Sequence, residues 1–236
     1  NKITKKDIIN SLKKILPEKI DVILEHDEIL RLKIKNSIPN EWLLVNLEDI
    51  CDIQMGQSPP GSSYSKTSGI PLLNGPTEFT DMYPIEKQFT TNPTKICQKN
   101  DLLICVRGST TGRMNWADKP YCIGRGLASI SPQKDIIDTN LLFYFLDYKT
   151  HELRQTDKGF TFPNLSKREL LEFQFPLLFK NEQDEMLKIL KSKILKNDKI
   201  KQAILEIESN VEQNLKKLQH IHSSIIEIAF TGKLIQ

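Results

Sequence analysis

At 236 residues, 39% of them apolar and 27% charged, the chain has material for one large domain or for a domain with an appendage. No apolar run approaches the length of a membrane span and no leader-like segment opens the sequence, so neither an anchor nor a signal peptide is expected. Thirty-three basic residues against 30 acidic ones give a net charge of +3, too mild for charge alone to announce a nucleic-acid partner.

Three segments of different character follow one another. In the first, residues 1–37, Thr4 with Asp7 predicts a helix start. Ile8, Ile9, Leu12, Ile15 and Leu16 continue it at helical spacing, and Pro17 stops it. Leu30, Leu32 and Ile34 alternate with Arg31, Lys33 and Lys35, which predicts a short strand.

The second segment, residues 38–178, holds most of the glycine, proline and aromatic residues. Turn signals recur at Ser58-Pro59-Pro60-Gly61, Asn74-Gly75-Pro76, Asn92-Pro93, Arg107-Gly108 and Thr111-Gly112. Between them the apolar runs Ile70–Leu73, Leu102–Val106 and Leu127–Ile130 predict strands of an irregular β-rich domain. One helix is expected inside it, from Thr139 to Arg154, with Leu141, Leu142, Phe145, Leu146 and Tyr148 toward the core. The aromatic run Phe143-Tyr144-Phe145 suits a core better than a base-stacking platform.

The third segment, residues 179–236, changes period again. Asn181 can cap a helix with Glu182, Asp184 and Glu185 in its first turn, and no glycine or proline follows until Gly232. One heptad register places Leu187, Leu190, Ile194, Ile204, Val211, Leu215, Leu218, Ile225 and Ala229 on one seam. Asn197, Lys201, Glu208 and His222 interrupt that seam as register-setting or solvated positions rather than as ligands. A single amphipathic rod roughly 70 Å long cannot bury its stripe on itself, so it needs another helix. The fold class expected is therefore α+β: an irregular β-rich domain followed by a long coiled-coil-type helix.

Cys51, Cys97, Cys105 and Cys122 have no CxxC spacing, and His26, His151, His220 and His222 complete no zinc pattern. Buried free thiols in a reducing, cytoplasmic setting are expected. Catalytic motifs are missing: Gly232-Lys233 lacks a phosphate-binding glycine loop, there is no HExxH, and no nucleophile–base constellation stands out. Charge is more informative locally. Within residues 95–134, Lys95, Lys99, Arg107, Arg113, Lys119, Arg125 and Lys134 face only Asp101 and Asp118. Three of the six arginines fall there, each next to or one residue away from a glycine. Arg107-Gly108-Ser109-Thr110-Thr111-Gly112-Arg113 is a run of hydroxyls between two guanidiniums, with Asn115 and Trp116 following. Such a loop can offer hydroxyls and amides to phosphates, and Arg and Asn to base edges. It equally fits a solvated turn with two surface arginines, and composition leaves both open.

The order of the motifs resembles the DNA specificity subunit of type I restriction-modification systems, from about Ile38 onward. Pro39-Asn40-Glu41-Trp42 with Val45–Ile50 is similar to the start of that family's target recognition domain. Gly56-Gln57-Ser58-Pro59-Pro60, Tyr64 and Ile70–Gly75 follow its early pattern. Asp101-Leu102-Leu103 before Arg107–Arg113 is similar to its central strand and loop, and Thr161–Ser166 to its exit. Phe175-Pro176-Leu177 with Glu182-Gln183 resembles the start of its spacer helix, and Ala229–Leu234 the end.

The resemblance implies that the recognition domain reads one half of a split double-stranded DNA site. Long helices then separate two such domains and dock methyltransferase subunits, and a motor-nuclease subunit joins for restriction. The chain itself would carry no catalytic centre and no cofactor, S-adenosylmethionine being expected in the methyltransferase partner. Arg113 and Asn115 are the expected base readers. Arg107, Ser109 and Thr110 are assigned to phosphate, and Arg125 suits either role. Tyr64, Asn74, Thr111 and Lys158 complete the DNA-facing candidates. Full members carry two recognition domains and two spacers, whereas one of each is seen here. The chain is thus expected to be a half-length subunit that pairs with a copy of itself, or a portion of a longer protein. Residues 1–36 exceed what usually precedes the family's first domain, and suit a helical remnant or a docking piece. The alternatives are the recognition portion of a fused restriction-methylation enzyme, and a coiled-coil adaptor with an unrelated protein-binding head.

Overall fold

The computed structural model describes residues 4–33, 39–133, 135–156 and 164–230. It divides into two units, residues 1–184 and 185–236. The first opens with helix α1 (Lys5–Ile15). The Asp7 carboxylate accepts from the Thr4 backbone N–H at 2.8 Å, closing the first turn as the sequence predicts. After Pro17 comes α2 (Ile20–Lys33). Ile8, Leu12, Leu16, Ile20 and Ile23 are buried, a continuous apolar stripe through both helices.

The strand expected over Leu30–Ile34 is helix as far as Lys33, and Ile34 lies outside the described residues. The reason lies upstream. Ile20, Ile23 and Asp27 share a helical face, and Asp27, 1% exposed, lies against the next element, the strand β1 (Leu43–Asn46). Its Oδ1 accepts from Leu44 N at 2.8 Å, and its Oδ2 pairs with Lys5 Nζ. His26 Nδ1 lies 2.9 Å from Asp49 Oδ2, and Lys19 Nζ donates to Glu48 O at 3.3 Å. Six residues of alternation do not override a helix anchored in this way. The described residues 4–33 fall in the same compact unit as the β-rich domain. Asp27→Ala should cost about 3 kcal/mol, because it orphans the buried Leu44 N–H and removes the Lys5 partner. Urea unfolding checks this.

Beyond β1 a short helix, α3 (Leu47–Ile50), leads into β2 (Cys51–Met55). There follow β3 (Tyr64–Ser65), β4 (Ile70–Leu73), β5 (Phe89–Thr90), β6 (Ile96–Cys97), β7 (Leu102–Cys105), β8 (Met114–Trp116), β9 (Tyr121–Ile123) and β10 (Leu127–Pro132). Helices α4 (Thr139–Thr156) and α5 (Lys167–Leu171) precede the strand β11 (Gln174–Leu177). The strands form a four-stranded sheet in the order β2-β10-β7-β8 and a five-stranded sheet in the order β3-β5-β4-β9-β6. Strands β1 and β11 pair antiparallel and close the domain on itself, Leu43 opposite Leu177.

The core lies between the two larger sheets. Leu103, Cys105 and Leu127 come from one; Leu73, Cys97, Tyr121 and Ile123 from the other. Every residue of β7 is buried, as its uninterrupted apolar run requires. All four cysteines are buried and free, as expected. Burial pushes the Cys97 thiol up to about 12 and raises Cys51 as well, so both stay protonated at neutral pH. In α4 the buried line runs through Leu142, Leu146 and Thr150, at four-residue spacing. Tyr148 falls off that line and is 58% exposed, not core as expected. Phe143 stacks on Trp116 with centroids 5.5 Å apart, and Phe145 meets Phe175 edge-on at 4.7 Å, so the aromatic run packs internally.

Helix α6 (Lys180–Phe230) starts in the first unit and makes up the described part of the second. Gln183 in its first turn is fully buried. Its amide donates to Ile136 O at 2.7 Å and Leu178 O at 2.9 Å, and accepts from Asp138 N at 2.8 Å. Farther along, Ile194, Ile204, Val211, Leu215 and Leu218 of the heptad seam are all exposed. The amphipathic stripe is present, and among the described residues nothing covers these positions. Among the described residues no helix is long and apolar enough to cross a membrane.

Candidate nucleic-acid interface

Four loops meet through backbone hydrogen bonds. Gly56 N donates to Leu127 O at 2.8 Å and Gln57 N to Ile123 O at 2.9 Å. Gly124 N donates to Leu73 O at 2.7 Å, and Val106 N to Gly126 O at 2.9 Å. The residues after β2, after β4, after β7 and between β9 and β10 are thereby one assembly. Asn164-Leu165 joins it, with Leu165 N donating to Val106 O at 3.0 Å.

The Gly124-Arg125-Gly126 motif now has a physical reason. A Cβ on Gly124 would sit 2.9 Å from Asn74 Oδ1, and one on Gly126 2.8 Å from Asn74 O. Both glycines let the β9–β10 turn lie against the end of β4, which leaves Arg125 exposed beside exposed Asn74. Asn74 Nδ2 donates to Gln88 Oε1 at 3.1 Å, and the Arg125 N–H to Ser58 Oγ at 3.4 Å.

The hydroxyl-rich loop is more folded than its composition suggests. Gly108 and Gly112 have φ of +79° and +82°, values that favour glycine. Thr111 is 5% exposed, with its hydroxyl donating to Gly108 O at 2.7 Å. Thr110 is half-buried, with Oγ1 3.4 Å from Cys105 Sγ. Arg107 and Ser109 are exposed. The two expected base readers are placed differently. Asn115 lies in β8, 1% exposed, and donates from Nδ2 to Thr80 O at 2.8 Å. It is inside the domain, where it cannot meet a base edge without the strand opening, so it is not placed as the base reader expected. Arg113 is exposed, but its guanidinium donates to Phe79 O at 2.9 Å and Pro76 O at 3.3 Å.

The structure therefore brings together Asn74, Arg107, Ser109, Thr110, Arg113 and Arg125, and turns Thr111 and Asn115 inward. Tyr64, 36% exposed, lies on edge strand β3, two strands from β4. Lys158 lies outside the described residues. Three polar side chains that sequence reasoning passed over belong to the assembly: Gln57, Ser58 and Thr94, whose hydroxyl donates to Gln57 O. The Gly56-Gln57-Ser58 run is visible in the sequence as part of the family pattern, which by itself assigns no role to Gln57 or Ser58.

Electrostatics follow from where the carboxylates go. Asp101 is 6% exposed and accepts from Gln98 N at 2.7 Å and from the Ser131 hydroxyl at 2.7 Å. Asp118 accepts from the Tyr121 hydroxyl. The two anions of this stretch thus serve the fold, while the guanidiniums of Arg107 and Arg125 stay at the surface. Among the described residues no group of three or more His, Cys, Asp or Glu is placed to hold a metal ion.

A β-rich head with a cluster of cationic loops, continued by a long amphipathic helix, has the plan of a helix-linked recognition module. The family comparison gives the same class a name. Residues 39–209 match the type I restriction modification DNA specificity domain, and the chain belongs to that family. It is 32% identical, over 97% of its length, to a Methanocaldococcus jannaschii protein named as the MjaX specificity subunit of a type I restriction enzyme, of which it covers 52%. The MjaVIII specificity subunit of the same organism is 27% identical over 65% of the chain and 36% of that protein. Among solved structures, the HsdS subunit from Thermoanaerobacter tengcongensis superposes with a TM-score of 0.63 at 28% identity, over 83% of this chain and 50% of that one. A chain from a study of complex assembly and conformational transition of the type I R-M system gives 0.67 at 30% identity, over 87% and 52%. The chain spans about half the length of the MjaX specificity subunit.

Proposed function

We propose that this chain reads one half of a split double-stranded DNA site as the sequence-recognising, non-catalytic component of a type I restriction-modification assembly. The observation that carries the reading is the convergence of four loops that leave Arg107, Arg125 and Asn74 exposed together on a family-matched domain. Arg107 and Ser109 suit phosphate contacts at the end of β7. Arg125 and Asn74, held side by side by the flanking glycines, suit the base edges, Arg for guanine and Asn for adenine. Methylation and cleavage fall to partners: methyltransferase subunits that bring S-adenosylmethionine, and a motor-nuclease subunit. Helix α6 supplies the spacer, its stripe covered by a helix of a second copy or of another part of a longer chain. Family membership leaves a protein-binding adaptor without support.

The roles separate by salt. Arg107→Ala should weaken binding to selected and scrambled duplexes alike and lower the salt slope by about one unit. Arg125→Ala should cost about 1–3 kcal/mol of discrimination between them. Affinities measured at two salt concentrations decide. Equal losses on both duplexes for Arg125→Ala would remove it from base reading, and intact affinities for both variants would remove these loops from the DNA surface.

A further inference from the structure

Residues 74–88, between β4 and β5, form a long loop of which the sequence marks only the opening Asn74-Gly75-Pro76 turn. Strand β8 is the edge of the four-stranded sheet, and this loop covers that edge, with Trp116 N donating to Met82 O at 2.9 Å. Two side chains at the start of the same strand grip the loop further. Arg113 donates to Phe79 O at 2.9 Å and Pro76 O at 3.3 Å, and Asn115 to Thr80 O at 2.8 Å. The loop is also cross-linked within itself. Ile85 N donates to Glu78 O at 2.8 Å, the Thr80 hydroxyl to Tyr83 O at 2.6 Å, and Lys87 Nζ to Thr77 O at 2.8 Å.

So fixed a loop would be expected to bury its apolar residues. It buries Phe79 but holds three others out: Met82 is 55% exposed, Tyr83 46% and Ile85 48%. Covering a strand edge requires backbone pairing, not three large apolar side chains held in water. Asn115 adds a second sign. Its Oδ1 is buried without a hydrogen-bond partner among the described atoms, so the residue is suited to its place by the amide that grips Thr80. The grip runs directly into the cationic loop cluster. Arg113 N donates to Thr110 O at 2.9 Å, and Arg113 O accepts from Cys105 N at 2.8 Å, within the turn that carries Arg107.

We propose that Arg113 and Asn115 are positioning residues that hold the 76–87 loop as a second DNA-contacting element, with Met82 and Tyr83 making its apolar contact to the duplex. The inference rests on the DNA-reading function. The ligand chemistry is that of the thymine methyl group in the major groove, which is read by apolar contact. Arg113 then acts on discrimination through the loop and touches no base itself.

The test uses the full chain with duplexes selected from a randomised library, and compares Arg113→Ala, the double variant Met82→Ser with Tyr83→Ser, and their combination. Three quantities are read: hydrogen exchange of the amides of residues 79–87, the ratio of selected to scrambled affinity, and the salt slope. Arg113→Ala should speed exchange across the loop, lower the ratio about tenfold and leave the salt slope unchanged. The Met82/Tyr83 variant should lower the ratio similarly without speeding exchange, and adding Arg113→Ala should lower it no further. Unchanged exchange in Arg113→Ala overturns the positioning role. Losses that multiply in the combination, or a reduced salt slope, show that Arg113 touches DNA itself and also overturn it. Faster exchange with an unchanged ratio shows a loop that only covers the strand edge. Failure of the DNA-reading function itself is distinguishable, because the unsubstituted chain would then select no duplex.

Discussion

Gly56→Ala is expected to destabilise the recognition domain by about 3 kcal/mol or more, at the upper end for cores forced to accept volume they have no room for. A Cβ at this position would sit 2.1 Å from Gly124 O and 2.8 Å from both Ile123 O and Leu127 O. All three obstacles are backbone, so no side chain can swing aside. Moving the backbone apart would break the Gly56 N to Leu127 O and Gln57 N to Ile123 O hydrogen bonds that join β2 to the β9–β10 turn. Since a domain is stable by only about 5–15 kcal/mol in all, much of that margin is lost. DNA affinity should fall with it, because the displaced turn carries Arg125. Gly61→Ala is the control: nothing lies within 4 Å of its added Cβ, and its effect should stay within about 0.5 kcal/mol. Urea unfolding of the two variants checks the pair.

The second large effect concerns α6. Val211 and Leu218 lie seven residues apart on the same seam, 56% and 63% exposed. Both are exposed among the described residues, so replacing them with aspartate should leave the melting of the recognition domain as before. Any helix pairing through this seam should be lost. Each buried aliphatic side chain contributes about 1.5–3 kcal/mol, and two copies lose two each, so self-association should weaken by roughly a thousandfold or more. Sedimentation at micromolar concentration reads this directly. A self-paired wild type that becomes monomeric on substitution supports an isologous pair. A wild type that is already monomeric without partners rules out self-pairing and assigns the stripe to a helix from elsewhere.

How much of this was legible beforehand depended on whether the signal was local. Helix α6 announced itself by a period sustained over many turns, and α1 by Asp7 three residues after Thr4. Strands β4, β7 and β10 stood out as apolar runs between turn residues. What failed was set by contacts distant in sequence. Asn115 follows a polar loop and looks exposed, yet it lies in a three-residue strand too short to show alternation, bonded to Thr80 35 positions away. Arg113 looks like a free guanidinium until Phe79 and Pro76 are brought to it. Alternation from Leu30 to Ile34 suggests a strand, but the end of the second helix is set by Asp27, whose partner Leu44 lies 17 residues on. The glycines flanking Arg125 suggested a turn, but not that Asn74 would occupy the space their side chains would need.

Selection of duplexes from a randomised library by the unsubstituted chain, assembled with the methyltransferase subunit proposed as its partner, tests the central claim most directly. The account predicts enrichment of a short defined half-site, with binding that weakens on raising salt for scrambled and selected duplexes alike but stays stronger for the selected one. If α6 pairs two copies, that half-site recurs as an inverted repeat with a fixed gap. Binding that enriches no sequence at any salt concentration, or no binding at all, would contradict it.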